Sequence, residues 1–367
     1  MENVLIVIDN LRIGGFQRLA LDQSYLLSDN GFKVTIVVLD RESINVTLEH
    51  LERDLIGKRK IDILHIGGSK VHEVRLLVQV LRNCNYRLIL SHSLRGTVEL
   101  AIARKFTKLH KINQIVSTIH QLPTLSAPKQ RFLRFTYAQY SDYLFAYSAA
   151  VKSDWEKRVE HFPKLFRLFY NKNIELLRNG IYLKRLPSEV QASAVGKPRL
   201  IYLGRLREWK GLTTYYDLGL NPHINGYDFL MMIPEIEPSV RKNLEAKFGD
   251  RMQFIVGKTI ANLQHRKGDV HIYPTNYGED AEYVESISLN CLEFACIGIP
   301  SIVSSGGLET WNDLKDYGIF CEVDWNDLSS VARTIQNASV NQNWELSEIR
   351  KIINIDNNVK ELLQIRG

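Results

Sequence analysis

"NVLIVIDNLRIGGFQRLALDQSYLLSDNGFKVTIVVLD", residues 3–40, sets the pattern of the chain. It opens on an apolar, β-branched run, NVLIVID (3–9), and turns through NLRIGG. It then continues as FQRLALDQSYLLSDNG, where Leu19, Leu21, Tyr25, Leu26 and Leu27 cluster on one side and Gly31 supplies a stop. A second apolar run, KVTIVVLD (33–40), follows. Strand, helix and strand in that order make a parallel pair, and strands apolar on both faces are covered on both.

The same unit recurs. IDILHI (61–66), YRLILSHS (86–93), INQIVSTIH (112–120) and SDYLFAYS (141–148) read as strands, with helical segments such as 95–108 and 128–139 between them. After a stretch rich in small and polar residues (176–198) the pattern restarts at RLIYLGR (199–205). It continues through YDFLMMIP (227–234), RMQFIVG (251–257), DVHIYPT (269–275), PSIVSS (300–305) and YGIFCEV (317–323). The expected fold is therefore α/β, with two doubly wound parallel-sheet domains. The expected divisions are an N-terminal domain over 1–182, a linker over 183–198 and a C-terminal domain over 199–345. A helical segment over 346–367 is expected to pack back on the N-terminal domain.

Composition narrows the class. With 367 residues, 45% of them hydrophobic, the chain can fill two cores. No apolar run approaches the roughly 18–20 residues of a membrane span, and no basic region precedes the short apolar run of MENVLIVIDN, so a cytosolic location is the expectation. Cys84, Cys291, Cys296 and Cys321 form no CxxC pair, which supports neither a zinc site nor a disulfide framework. Residues 1–180 carry 27 Lys and Arg against 17 Asp and Glu, whereas the remainder carries 20 against 24. A basic front half is compatible with an anionic membrane, a phosphorylated substrate or nucleic acid. No base-stacking or recognition-helix motif accompanies it, which argues against nucleic acid.

Chemistry in open α/β sheets belongs to the loops beyond the carboxyl ends of the strands. Gly14 and Gly15 lie in such a loop; they read either as a tight turn or as a backbone approach to an anion at a helix start. The pattern is not GxGxxG, and Asp40 is too close to the ordinary end of its strand for a ribose hook. In YLGRLREWKG (202–211), Arg205 and Lys210 follow a strand and could hold a diphosphate, or could form a solvated basic turn. His92 and His120 end two strands of the front half.

In EYVESISLNCLEFACIGIP (282–300) a helix starting near Ser286 or Ser288 and ending before Gly298 and Pro300 carries Ser286, Asn290, Glu293 and Ile297 on one stripe. That stripe faces either solvent or a polar ligand. A carboxylate on it suits the vicinal hydroxyls of a ribose.

Taken in order, these pieces resemble the retaining glycosyltransferases of family 4, which have the GT-B fold of two facing Rossmann-like domains. The similarity runs from GGFQRLALDQSYLLSDNGFKVTIVV through VSTIH, LLRNGI and GRLREWKG to DVHIYPT and the Glu-x7-Glu pattern of ESISLNCLEFACIGIP. The resemblance implies a nucleoside-diphosphate sugar as donor and a glycan or lipid-linked acceptor met by the N-terminal domain, in bacterial surface-polysaccharide synthesis. By the same resemblance Glu293 would bind the ribose, and Arg205, Lys210 and the backbone N–H of Gly15, beside Gly14, the diphosphate. Glu285, with Ser286, Ile287 and Ser288 after it, would meet the donor sugar, and His120 would contact that sugar from the N-terminal side.

No cofactor and no metal is expected, since the chain contains no Asp-x-Asp. One departure concerns the glycine-rich sequence usual after the first Glu, which is replaced here by Ser-Ile-Ser. It supports a second reading, a catalytically silent homologue serving as a scaffold or partner subunit; a nucleotide-sugar epimerase of the same fold is a separate alternative that would need additional acid/base groups. The basic aromatic segments KQRFLRFTYAQY (129–140) and EHFPKLFRLFYNK (160–172) read either as domain core with a solvated basic face or as peripheral contact with a membrane that carries a lipid-linked acceptor.

Overall fold

The computed structural model describes residues 2–40, 47–59, 61–107, 114–120, 122–123, 127–160, 174–187, 196–206, 210–275, 283–284, 287–341 and 343–365. Glu285, Ser286 and the basic aromatic run beyond Glu160 lie outside them. The chain divides into two compact units. One is Met1–Tyr182 with Tyr283–Glu285 and Ile355–Gly367, and the other is Leu183–Glu282 with Ser286–Asn354. The segment 346–367 is thus shared between them.

The first unit contains β1 (Asn3–Ile8), β2 (Lys33–Val38), β3 (Ile61–His65), β4 (Tyr86–Ser91), β5 (Ile115–Ile119), β6 (Leu122–Pro123), β7 (Tyr143–Ala146) and β8 (Ile174–Leu176). Seven of these form one sheet in the order β3-β2-β1-β4-β5-β7-β8, and every pairing in it is parallel. β6 pairs separately, and antiparallel, with β13 (Tyr283–Val284). The helices are α1 (Gly15–Asp29), α2 (Leu48–Leu51), α3 (Arg53–Gly57), α4 (Lys70–Asn83), α5 (Leu94–Lys105), α6 (Ala127–Tyr140), α7 (Ala149–Glu160) and α13 (Asp356–Gln364).

α1 ends in a Schellman motif. Phe32 N–H donates to Leu27 O (3.1 Å) and Gly31 N–H to Ser28 O (3.0 Å), with Gly31 at φ 89°. Its apolar residues line the core as the spacing requires, but the helix is buried on its polar side as well, at Gln17, Arg18, Asp22, Gln23 and Ser24. Those polar groups meet partners remote in sequence. Gln23 Nε2 donates to Tyr147 OH (3.0 Å) and Asn358 Oδ1 (2.8 Å), Tyr182 N–H donates to Asp22 Oδ2 (3.2 Å), and Arg18 pairs with Glu52. A burial pattern made by α13 and by residue 182 is not visible in the helix's own sequence.

In the second unit β9 (Arg199–Leu203), β10 (Asp228–Ile233), β11 (Met252–Val256), β12 (Val270–Tyr273), β14 (Ser301–Ser304) and β15 (Phe320–Val323) are ordered β11-β10-β9-β12-β14-β15, again all parallel. Its helices are α8 (Leu212–Leu220), α9 (Pro238–Phe248), α10 (Leu289–Cys296), α11 (Leu328–Val340) and α12 (Leu346–Ile353). Its core joins Leu200, Tyr202, Tyr215, Phe229, Met231 and Val270. Buried beside it, Asp269 accepts from Arg199 Nη2 (2.7 Å), Arg199 N–H (2.9 Å) and Arg266 N–H (2.9 Å), so its charge is fully partnered.

In both sheets the strand order reverses beside the first strand, between β1 and β4 and between β9 and β12. Such switch points open a crevice at the carboxyl ends of the strands. Among the described residues no helix is long and apolar enough to cross a membrane.

Candidate functional site

Each unit has polar residues gathered at its switch point. In the first unit, β1 runs into Asp9, β4 into His92 and Ser93, and β5 into His120. Ser93 caps α5 by accepting from Gly96 N–H (2.9 Å), and its hydroxyl donates to Asp9 Oδ1 (2.7 Å). Burial raises the Asp9 carboxyl above its ordinary range against the lowering effect of that hydrogen bond and of Arg95. Asp40, just beyond β2, accepts from Arg95 Nη1 (2.6 Å), and the same guanidinium donates from Nη2 to Glu73 and from Nε to Glu99, so Asp40 is engaged within the unit.

The two histidines meet. His92 Nδ1 lies 3.0 Å from His120 Nε2, and Thr118 Oγ1 lies 3.1 Å from the first and 3.2 Å from the second. The His120 ring sits among Phe16, at 5.5 Å between centroids, and Tyr147, at 4.8 Å. Phe16 belongs to the first turn of α1, so the strand-end histidine and the Gly14-Gly15 turn are brought together. Gly14 precedes the helix in extended conformation with no side-chain cap. A Cβ at Gly15 would meet nothing within 4 Å, so the packing of the unit does not itself demand glycine there. Burial holds His92 neutral, down to about 3, and burial together with the neighbouring His92 holds His120 well below its ordinary value.

In the second unit the chain leaves β9 at Gly204 and Arg205, the latter exposed. Tyr202 OH donates to Arg205 O (2.6 Å), which ties the turn back to the strand. Lys210 is half-buried; its Nζ donates to Tyr273 OH (3.0 Å) at the end of β12 and lies 5.3 Å from that ring's centroid. Gly211, at φ 74°, then starts α8. Ser288 precedes α10 in extended conformation without a side-chain cap bond, next to the buried Ile287. Asn290 Nδ2 donates to Leu203 O (3.0 Å), which brings the first turn of α10 to the end of β9.

The stripe on α10 therefore does not face solvent. Glu293 is 5% exposed and ion-pairs with the equally buried Arg185. His271, held neutral by burial at about 3, stacks on Phe294 at 4.2 Å and fixes the helix to β12. Burial pushes the Cys291 thiol up to about 12, which removes it as a nucleophile. α10 closes with Ile299 N–H donating to Phe294 O (3.0 Å) and Gly298 N–H to Ala295 O (3.1 Å).

Of the residues singled out in the sequence, Gly14, Gly15 and His120 thus fall together in the first unit. Arg205, Lys210, Ile287, Ser288 and Glu293 belong to the second, where Asn290 ties the first turn of α10 to the end of β9 and Glu293 is paired with Arg185. Glu285 and Ser286 lie outside the described residues. Sequence reading missed Arg185, which stands in a stretch that looked like linker and pairs across 108 positions. It also missed Thr118 as the residue joining the histidines.

No family model and no curated protein matches the sequence. Solved structures do match the fold over nearly the whole chain. HepE from Anabaena, solved with UDP, is 14% identical at a TM-score of 0.69 and covers 99% of this chain and 98% of its own. TarM from S. aureus, solved as a mutant with fondaparinux, α-GlcNAc-glycerol and UDP, is 11% identical at 0.68, with 99% and 98% covered. An α-glucosyltransferase solved with UDP and a 13-mer DNA is 14% identical at 0.69, with 100% and 98% covered. The fold shared with these structures, two Rossmann-like parallel-sheet units in one chain, is GT-B.

Proposed function

We propose that this chain is a retaining glycosyltransferase that moves a sugar from a nucleoside-diphosphate sugar to a glycan or lipid-linked acceptor in surface-polysaccharide synthesis. The observation that carries the reading is the convergence at the β9/β12 switch point of Arg205, Lys210, the start of α8 and the first turn of α10. Two cations beside helix N-termini suit a diphosphate. As the bond from the anomeric carbon to the diphosphate breaks, negative charge grows on the leaving group. Arg205 and Lys210 stabilise it, and no metal is required for that task.

Glu293 accepts from the ribose hydroxyls while Arg185 neutralises it. Glu285 and the Ser286–Ser288 backbone meet the donor sugar. In the first unit, the proposed roles are donation to phosphate by the Gly15 amide and contact with the sugar by His120. The matched structures solved with UDP support a nucleotide donor. Peripheral membrane contact by the first unit is part of the proposal. Phe106, 62% exposed, and Phe132, 69% exposed, support it, together with the basic residues Arg104 and Lys105.

A thermal-shift panel of uridine, guanosine and adenosine diphosphates tests the donor site. One nucleotide is expected to stabilise the protein, and Lys210→Ala to weaken that nucleotide roughly tenfold by removing one charge-assisted contact. Equal binding by the variant would remove Lys210 from the site, and no stabilisation by any nucleotide would count against the reading.

A further inference from the structure

We infer that His92 is a positioning residue that locks His120 as the neutral tautomer protonated on Nδ1, so that His120 meets its ligand as a hydrogen-bond donor. The geometry leaves few alternatives. Thr118 Oγ1 lies 3.2 Å from the Ser91 carbonyl oxygen as well as within reach of both rings, and it has a single hydrogen to give. It can donate to at most one of the two rings, so the contact between the rings decides the tautomer.

A contact of 3.0 Å between His92 Nδ1 and His120 Nε2 holds one proton. Two bare nitrogens would repel and two N–H groups would collide. The proton therefore belongs either to His92 Nδ1 or to His120 Nε2.

The other ring nitrogen of His92 decides between them. His92 is 3% exposed, and its Nε2 is buried with no hydrogen-bond partner among the described residues. Were the shared proton on His120, a neutral His92 would carry its own on Nε2, as a buried N–H with no acceptor. With the shared proton on His92 Nδ1, Nε2 is only an unused lone pair. Orphaned buried donors are rarer than under-used acceptors.

His120 Nε2 is consequently occupied as an acceptor, and the ring's own proton sits on Nδ1, which makes no hydrogen bond to a described residue. His120 in this state cannot take a proton at Nε2 as a general base. It can donate from Nδ1 to an oxygen. That this oxygen belongs to a donor sugar rests on the function proposed above; the tautomer does not.

The test is the two-bond proton–nitrogen correlation pattern of the full-length, ligand-free protein labelled with 15N-histidine at pH 7, with signals assigned by His92→Phe and His120→Phe. The expected result is a neutral Nδ1–H imidazole for both residues. In His92→Phe, His120 is expected to gain an Nε2–H population, and in His92→Gln, whose amide N–H can replace the lost donor, to return to Nδ1–H. A wild-type His120 that is imidazolium or Nε2–H overturns the inference. So does a His120 that stays Nδ1–H in His92→Phe. If His92→Phe does not fold, assignment by His120→Phe and the wild-type spectrum decide the tautomer. Because no nucleotide enters the experiment, its failure is distinct from a failure of the donor panel.

Discussion

Arg185→Ala is expected to destabilise the second unit by about 3–5 kcal/mol, the usual cost of leaving one member of a buried ion pair without its partner. The Arg185 and Glu293 side chains are 3% and 7% exposed. Deleting the guanidinium leaves a nearly buried carboxylate without its charge partner, on a helix where Leu292, Phe294 and Ala295 are fully buried. The double variant Arg185→Met with Glu293→Gln removes both charges and is expected to recover most of the loss, because a neutral pair of similar volume carries little desolvation penalty. Chemical denaturation that follows the transition of the second unit reads both numbers. Equal destabilisation by the single and double variants would mean that charge pairing is not what the site needs.

Gly211→Ala is expected to cost about 2–5 kcal/mol and to abolish nucleotide stabilisation as well. The residue has φ 74°, and an added Cβ would come within 2.7 Å of Pro274 Cβ and closer still to that residue's carbonyl oxygen and Cγ. A left-handed alanine alone costs about 1–2 kcal/mol, and forced displacement in a packed site typically adds about 1–3 kcal/mol. Here the displaced atoms are a backbone carbonyl and a proline ring, neither of which can rotate away as a flexible side-chain tip would. The shift would also move Lys210, the start of α8 and the β12 end that holds Tyr273. Circular dichroism melting and the nucleotide panel, run on the same preparation, read the two effects. An unchanged melting temperature would show that the β9/β12 turn is more plastic than its contacts imply.

The sheets were legible because buried parallel strands are written as continuous apolar runs: NVLIVI, KVTIVV, RLIYL and DFLMMI need no partner information to be read. The end of α1 was legible for a similar local reason, at Gly31. What could not be read was set by distance. The polar side of α1 is buried only because Asn358, Tyr147 and Tyr182 arrive there from far along the chain. β8 is three residues long, and the β6–β13 ladder is two by two, too short for any period to register. At the candidate site the helix of Glu293 was visible as a polar stripe in an apolar segment. That stripe was equally compatible with solvent, since nothing near Glu293 in sequence announces Arg185. The histidines stood out singly at strand ends, and only the register of β4 against β5, which pairs Ser91 with Ser117, sets them side by side.

The most direct test of the central claim is the release of nucleoside diphosphate from a panel of uridine, guanosine and adenosine diphosphate sugars by the purified full-length chain, with glycan and lipid-linked acceptors supplied. Release from one nucleotide class is expected, lost when Arg205 and Lys210 are both replaced by alanine. Absence of release from every donor, with the double variant binding nucleotides as the wild type does, would contradict it.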